Sequence, residues 1–173
     1  MVNNITNLSE ARYCSGMGVQ FLGFSPQSID AKTAQDITGW LSGPQYFIDI
    51  SGLPSIPELN EYPCEYILVA PHQLDGLPID LNKKIMVKAA FAKAATIANL
   101  DPAYVIADAW TPNQVSEYKD ANLIVSINQH EFIDELLNAT IAGFMLTGGS
   151  ESKPGLMEYD HLSSVFEKLE EDN

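Results

Sequence analysis

The sequence predicts an α/β fold, a compact (β/α)8 TIM barrel of parallel strands, and three observations lead there. Strand-like and helix-like segments alternate from one end of the chain to the other. The strand-like segments are short and almost continuously apolar, the pattern of parallel strands covered on both faces. There are eight of them, at residues 2–5, 21–24, 46–50, 66–70, 85–89, 104–107, 123–127 and 143–146. Strict alternation implies a parallel sheet with right-handed crossovers, and eight units suggest that it closes. About 22 residues per unit is lean, since such barrels usually need roughly 200 or more. An open doubly wound parallel sheet with five true strands is therefore the rival architecture. The 173 residues are read as a single domain, 1–173, large enough to bury a core.

The connections carry readable helix signals. Asn7 is placed to cap a helix with Glu10 three residues on, and Asn128 with Glu131 repeats the arrangement. A second helix is expected over 31–41. The segments after strands three, four and five are weaker, and 53–62 and 72–81 are broken by proline, so short or irregular structure is expected there. Thr111-Pro112-Asn113-Gln114 places a capping threonine, a first-turn proline and a glutamine at the third position. A helix is expected over 132–139. In the last helix Leu162, Val165, Phe166 and Leu169 share one face.

Composition narrows the function classes. Hydrophobic residues make up 46%, which excludes a disordered chain. Nine basic residues stand against 23 acidic ones, a net charge of −14. No basic patch exists to displace phosphate counterions, so nucleic acid is not an expected partner. A small phosphorylated ligand stays compatible, because backbone N–H groups bind phosphate locally. Much of the acidity lies in the tail, 167–172, read as a solvated helix end. No run reaches membrane-spanning length and no signal segment opens the chain, so no membrane partner is expected. Cys14 and Cys64 match no metal spacing and are read as reduced thiols of a cytoplasmic protein. No metal and no cofactor are expected.

Two stretches carry chemistry. Residues 5–24 read I-T-N-L-S-E-A-R-Y-C-S-G-M-G-V-Q-F-L-G-F, and residues 143–162 read G-F-M-L-T-G-G-S-E-S-K-P-G-L-M-E-Y-D-H-L. The first resembles the opening unit of the phosphoribosylanthranilate isomerases: "KICGIT", an acidic helix start, a turn, then a strand ending in Gly-Phe. The second resembles that family's final strand and loop, "SSGVE" followed by "PG" and the closing helix. Together they cover roughly 40 residues, at the correct ends and in the correct order. The middle of the chain matches only in its strand rhythm and in Asp108.

The resemblance implies a cofactor-free Amadori rearrangement in tryptophan biosynthesis, turning an aldose-linked anthranilate into a ketose. A carboxylic acid at the end of strand six protonates the ring oxygen. A cysteine at the end of strand one takes the proton from the sugar carbon, and loops seven and eight hold the phosphate. Carried over, Asp108 fits the acid, or is a strand-end or capping aspartate. Gly148, Gly149 and Ser150 fit the phosphate loop, or form an ordinary turn. The expected ligand is a small phosphorylated sugar or another anion.

Other positions depart from the family. Asn3 stands at the base position, and a neutral amide cannot accept a proton. Asn4 replaces a glycine. Ser25-Pro26-Gln27-Ser28 lacks the arginine that meets the anthranilate carboxylate. The seventh strand lacks Gly-Gly, and Thr111-Pro112-Asn113 replaces a glycine-rich loop. His72 and His130, after strands four and seven, are substitute bases or plain loop residues. Lys88, within strand five, points either into the barrel mouth or outward past its helix. Three readings follow: an isomerase of altered or reduced activity; a non-catalytic barrel, a pseudoenzyme that binds a ligand or partner; and an open-sheet acidic interaction protein.

Overall fold

The computed structural model describes residues 1–78, 80–118, 122–127, 133–153, 156–158 and 160–171. Eight parallel strands close into one barrel in chain order. They are β1 (Val2–Asn3), β2 (Phe21–Phe24), β3 (Gln45–Asp49), β4 (Tyr66–Val69), β5 (Lys84–Ala90), β6 (Tyr104–Asp108), β7 (Leu123–Ser126) and β8 (Gly143–Thr147). Closure runs through β1, which pairs with β2 at Val2↔Leu22 and with β8 at Val2↔Leu146 and Asn3↔Thr147. That pairing removes the open sheet. Each expected strand is present, with ends displaced by one or two residues at most sites.

The helices are α1 (Leu8–Gly16), α2 (Ala31–Thr38), α3 (Ala94–Ala98), α4 (Pro112–Glu117), α5 (Ile133–Leu136) and α6 (Asp160–Glu171). Their starts follow the sequence signals. Asn7 accepts from the Glu10 N–H at 2.9 Å, and Thr111 forms the anticipated capping box with Gln114. Asn128, Glu131 and Phe132 lie outside the described residues. Economy explains the lean length: β3 passes to β4 without a helix, and a 3-10 turn, Pro71–Gly76, serves after β4. Gln73 ties that turn down by donating to the Ile50 and Leu53 carbonyls at 2.8 and 3.1 Å.

The end of the chain departs from expectation. The glycine stretch does not hand directly to a helix. A hairpin intervenes, β9 (Ser150–Lys153) antiparallel to β10 (Leu156–Glu158), and only then does α6 begin. Cross-strand pairing there satisfies backbone groups that a helix start would leave open. Leu162, Val165 and Phe166 of α6 are buried as the spacing required. The Tyr13 hydroxyl of α1 meets Ser163 at 2.9 Å, so the first and last helices seal the seam where the barrel closes.

Two cores result. One lies between strands and helices and includes Val2, Leu22, Ile48, Ile67, Val87 and Val105. The other fills the barrel with Phe21, Phe47, Tyr66, Leu68, Met86, Ile106, Ile124 and Met145. Side chains alternate across a strand, so these interior residues fix which of their neighbours also face inward.

Candidate functional site

Continuing the strands by two residues beyond their interior apolar side chains reaches the C-terminal mouth, and there the interior turns polar except at Gly23 of β2 and Ala70 after β4. Phe47 leads to Asp49, Met86 to Lys88, Ile106 to Asp108, Ile124 to Ser126 and Met145 to Thr147, while Asn3 faces in from β1. Interior layers of such barrels are normally filled with Val, Ile and Leu, and active sites form at this face.

The polar groups form two clusters. In the first, the Asn3 side-chain N–H donates to Asp49 Oδ2 at 2.6 Å. The Asn3 side-chain oxygen accepts the Asn4 N–H at 2.8 Å. Asp49 Oδ1 accepts from the Ser51 N–H and hydroxyl at 2.9 and 2.7 Å. In the second, Lys88 Nζ pairs with Asp108 Oδ2 at 3.7 Å, both side chains partly open to solvent. Lys88 therefore points into the mouth. The β6 chain leaves Asp108 through Ala109, which holds φ +51°, a conformation costing an L-residue roughly 1–2 kcal/mol. Trp110 anchors that exit by donating from its indole N–H to the Ser126 carbonyl at 2.6 Å.

The first turn explains a departure noted in the sequence. Asn4 sits at φ +60°, where a glycine is favoured and asparagine is among the few tolerated substitutes. Its side-chain oxygen accepts from the Ser28 hydroxyl at 2.6 Å, tying β1 to the chain beyond β2.

The glycine turn after β8 is occupied from within. The Gly148 N–H donates to the Asn3 carbonyl at 2.6 Å, and the Gly149 N–H to Glu10 Oε1 at 2.5 Å. Glu10 is fully buried, and its other oxygen accepts the Thr6 N–H at 3.0 Å. A Cβ on Gly148 would lie 2.5 Å from Glu10 Oε1 and 3.0 Å from the Asn4 carbonyl. Glycine is required there for close approach of β1 and Glu10. Ser150 opens β9, with Glu158 as its ladder partner.

His72 lies exposed on the 3-10 turn after β4. His130 lies outside the described residues. Sequence reasoning missed Asp49 altogether and assigned Glu10 only to its own helix. Asp49 follows the apolar run Tyr46-Phe47-Ile48 much as Asp108 follows its own, but the family resemblance that singled out Asp108 assigned nothing to Asp49. A cavity of about 270 Å³ lies at the opposite end of the barrel, among Met1, Phe21, Tyr104, Phe144 and Phe166, away from the polar mouth. Among the described residues no helix is long and apolar enough to cross a membrane, and no group of three His, Cys, Asp or Glu side chains could hold a metal.

Neither protein-family models nor curated proteins give a match to this sequence. Solved structures do. The fold is similar to that of phosphoribosylanthranilate isomerase in complex with reduced 1-(o-carboxyphenylamino)-1-deoxyribulose 5-phosphate. The TM-score is 0.72 at 14% identity, over 98% of this chain and 97% of that one. The phosphoribosylanthranilate isomerase of Thermotoga maritima gives a TM-score of 0.69 at 15% identity, over 98% of both chains. Thiamine phosphate pyrophosphorylase from Pyrococcus furiosus gives 0.62 at 12%, over 98% of this chain and 92% of that one. At these identities the likeness is one of fold.

Proposed function

We propose that this chain is an aldose–ketose isomerase of the phosphoribosylanthranilate isomerase type, with altered and reduced activity. A small sugar-derived substrate enters the mouth at the C-terminal ends of the strands. Asp108 acts there in its protonated form as proton donor, with Lys88 turned from it to a substrate oxygen, since a carboxylate still paired with the ammonium has no proton to give. The observation that carries this reading is the polar top of the barrel interior: Asn3, Asp49, Lys88 and Asp108 above layers that are otherwise apolar and aromatic. A barrel built only for stability gains nothing from carboxylates and an ammonium at those positions. Apolar side chains would bury there without the desolvation cost of charge.

Reduced activity follows from the residues that differ. The base position at the end of β1 holds an amide, so any proton acceptor must come from another strand, and a site left without one typically loses two to four orders of magnitude in rate. The Gly148 and Gly149 amides, which would approach a phosphate, already donate within the chain. That second fact also favours another reading, a non-catalytic barrel that binds a ligand at the mouth.

One experiment separates them. The purified protein is given phosphoribosylanthranilate and the loss of anthranilate fluorescence is followed, in parallel with complementation of a tryptophan auxotroph lacking the isomerase. Slow turnover abolished by Asp108→Asn supports the isomerase. No turnover and no growth gives the binding module the better claim, to be pursued by thermal-shift measurements with phosphosugars.

A further inference from the structure

We infer that Asp49 is the proton acceptor of this site, held at the mouth by Asn3, an inference that rests on the isomerase reading above. Asn3 occupies the end of β1 and cannot itself take a proton. Its orientation is nevertheless determined. Its oxygen must face the Asn4 N–H and its NH2 must face the Asp49 carboxylate, because the flipped amide would set donor against donor and acceptor against acceptor. Asn3 is also walled in: it is 8% exposed, and a Cβ on neighbouring Gly23 would lie 2.6 Å from its side-chain oxygen. The amide is thus a fixed donor aimed at one carboxylate oxygen.

Asp49 is held from the other side as well. Oδ1 takes both Ser51 donors, whereas Oδ2 takes the Asn3 amide. A carboxylate offers about four lone-pair sites, so three donors leave one, and it lies on Oδ2, beside the base position. Inward alternation from Phe47 sets this oxygen on the barrel side of β3, and β3 stands well round the ring from β6, which carries Asp108. Acid and base therefore approach a substrate from different sides of one mouth.

The chemistry balances without a co-reactant. Asp108 gives its proton to the ring oxygen of an aldosylamine, the C1–O bond breaks, and the nitrogen lone pair forms the C1=N iminium. Asp49 Oδ2 then takes the C2 proton. The C2–H electron pair becomes the C1=C2 bond, and the iminium π pair returns to nitrogen. The enol tautomerises to the ketone, with the proton gained by Asp49 matching the one lost by Asp108.

The test uses the full chain and phosphoribosylanthranilate. Asp49→Asn preserves shape and keeps an oxygen for Ser51 but has no basicity. It should lower kcat/KM at least 100-fold with an unchanged circular dichroism spectrum. Asn3→Ser should lower it about tenfold, as befits a positioning residue. Asn3→Cys in the Asp49→Asn background, which supplies a thiol at the end of β1, should recover part of the lost rate. If Asp49→Asn stays within threefold of the wild type while Asp108→Asn is inactive, Asp49 is not the acceptor and the isomerase reading survives. If the wild type shows no turnover at all, both fall. Should Asp49→Asn fail to fold, Asn3→Ser decides, since wild-type rates in that variant would overturn the coupling.

Discussion

Glu10 bridges the first and last β/α units of the barrel, and replacing it by alanine measures what that bridge contributes. The carboxylate is fully buried and accepts two backbone N–H groups, Thr6 on its own turn and Gly149 from 139 residues away. A hydrogen bond to a charged group contributes about 1.5–3 kcal/mol. Alanine removes both acceptors and strands two donors away from solvent, while its higher helix propensity returns only a few tenths. The expected loss is about 3–5 kcal/mol. For a chain of this size each kcal/mol lowers Tm by roughly 2–4 °C, so the shift should be about 10 °C. Glu10→Gln keeps one acceptor oxygen and the shape, and should lose less than half as much. Urea unfolding followed by circular dichroism reads both. A Glu10→Ala loss below about 1 kcal/mol would refute the bridge. A corollary tests the glycine turn: with the carboxylate gone the Gly149 amide is released, so inorganic phosphate should raise the Tm of Glu10→Ala and leave the wild type unmoved.

Further outcomes follow from the same geometry. Gly23→Ala would drive a methyl into the fully buried Phe47 ring and to within 2.6 Å of the Asn3 oxygen, so a loss of about 1–3 kcal/mol is expected by thermal unfolding, with turnover lowered beyond that. Asn4→Val forces a β-branched residue to φ +60° and should cost more than 1 kcal/mol, whereas Asn4→Gly should stay near the wild type in urea. Burial pushes the Cys14 thiol up to about 12, aided by the Glu10 charge, and burial likewise pushes Cys64 up to about 12. Both thiols should resist alkylation in the native state and react on unfolding. Because the folded values exceed the unfolded ones, stability is complete below about pH 9 and is lost between about pH 9 and 12, at up to about 1.4 kcal/mol per thiol per unit. Urea midpoints measured from pH 8 to 11 check the sign.

Much of the fold was legible because parallel strands covered on both faces must be apolar throughout. That requirement marked 66–70 and 123–127, where β4 (Tyr66–Val69) and β7 (Leu123–Ser126) run, as clearly as any motif could. Helix starts were legible because caps are local: Asn7 acts on Glu10, and Thr111 on Gln114. The hairpin Ser150–Lys153 with Leu156–Glu158 was not, since its polar residues carry no strand signature and its stability comes from pairing. Of the site, Asp108 was visible at its strand end through the family resemblance. Asp49 ends its strand in the same way, yet its chemical meaning comes from Asn3, 46 residues distant.

Local sequence specified the eight-unit alternation, the caps, the absence of a thiol at the end of β1 and the carboxylate at the end of β6. These are properties of single residues and short windows, where propensity and periodicity act. Tertiary structure decided the rest. Closure of β1 against β8 brought Glu10 to the glycine turn and so gave those glycines an internal partner. The pleat of β5 turned Lys88 inward toward Asp108, and the ring of strands set Asn3 beside Asp49. Each of these contacts joins different β/α units: the Lys88–Asp108 pair needs β5 and β6 to lie side by side, the Asn3–Asp49 bond needs β1 to β3 to curve round one interior, and the Glu10–Gly149 bond needs the barrel to close.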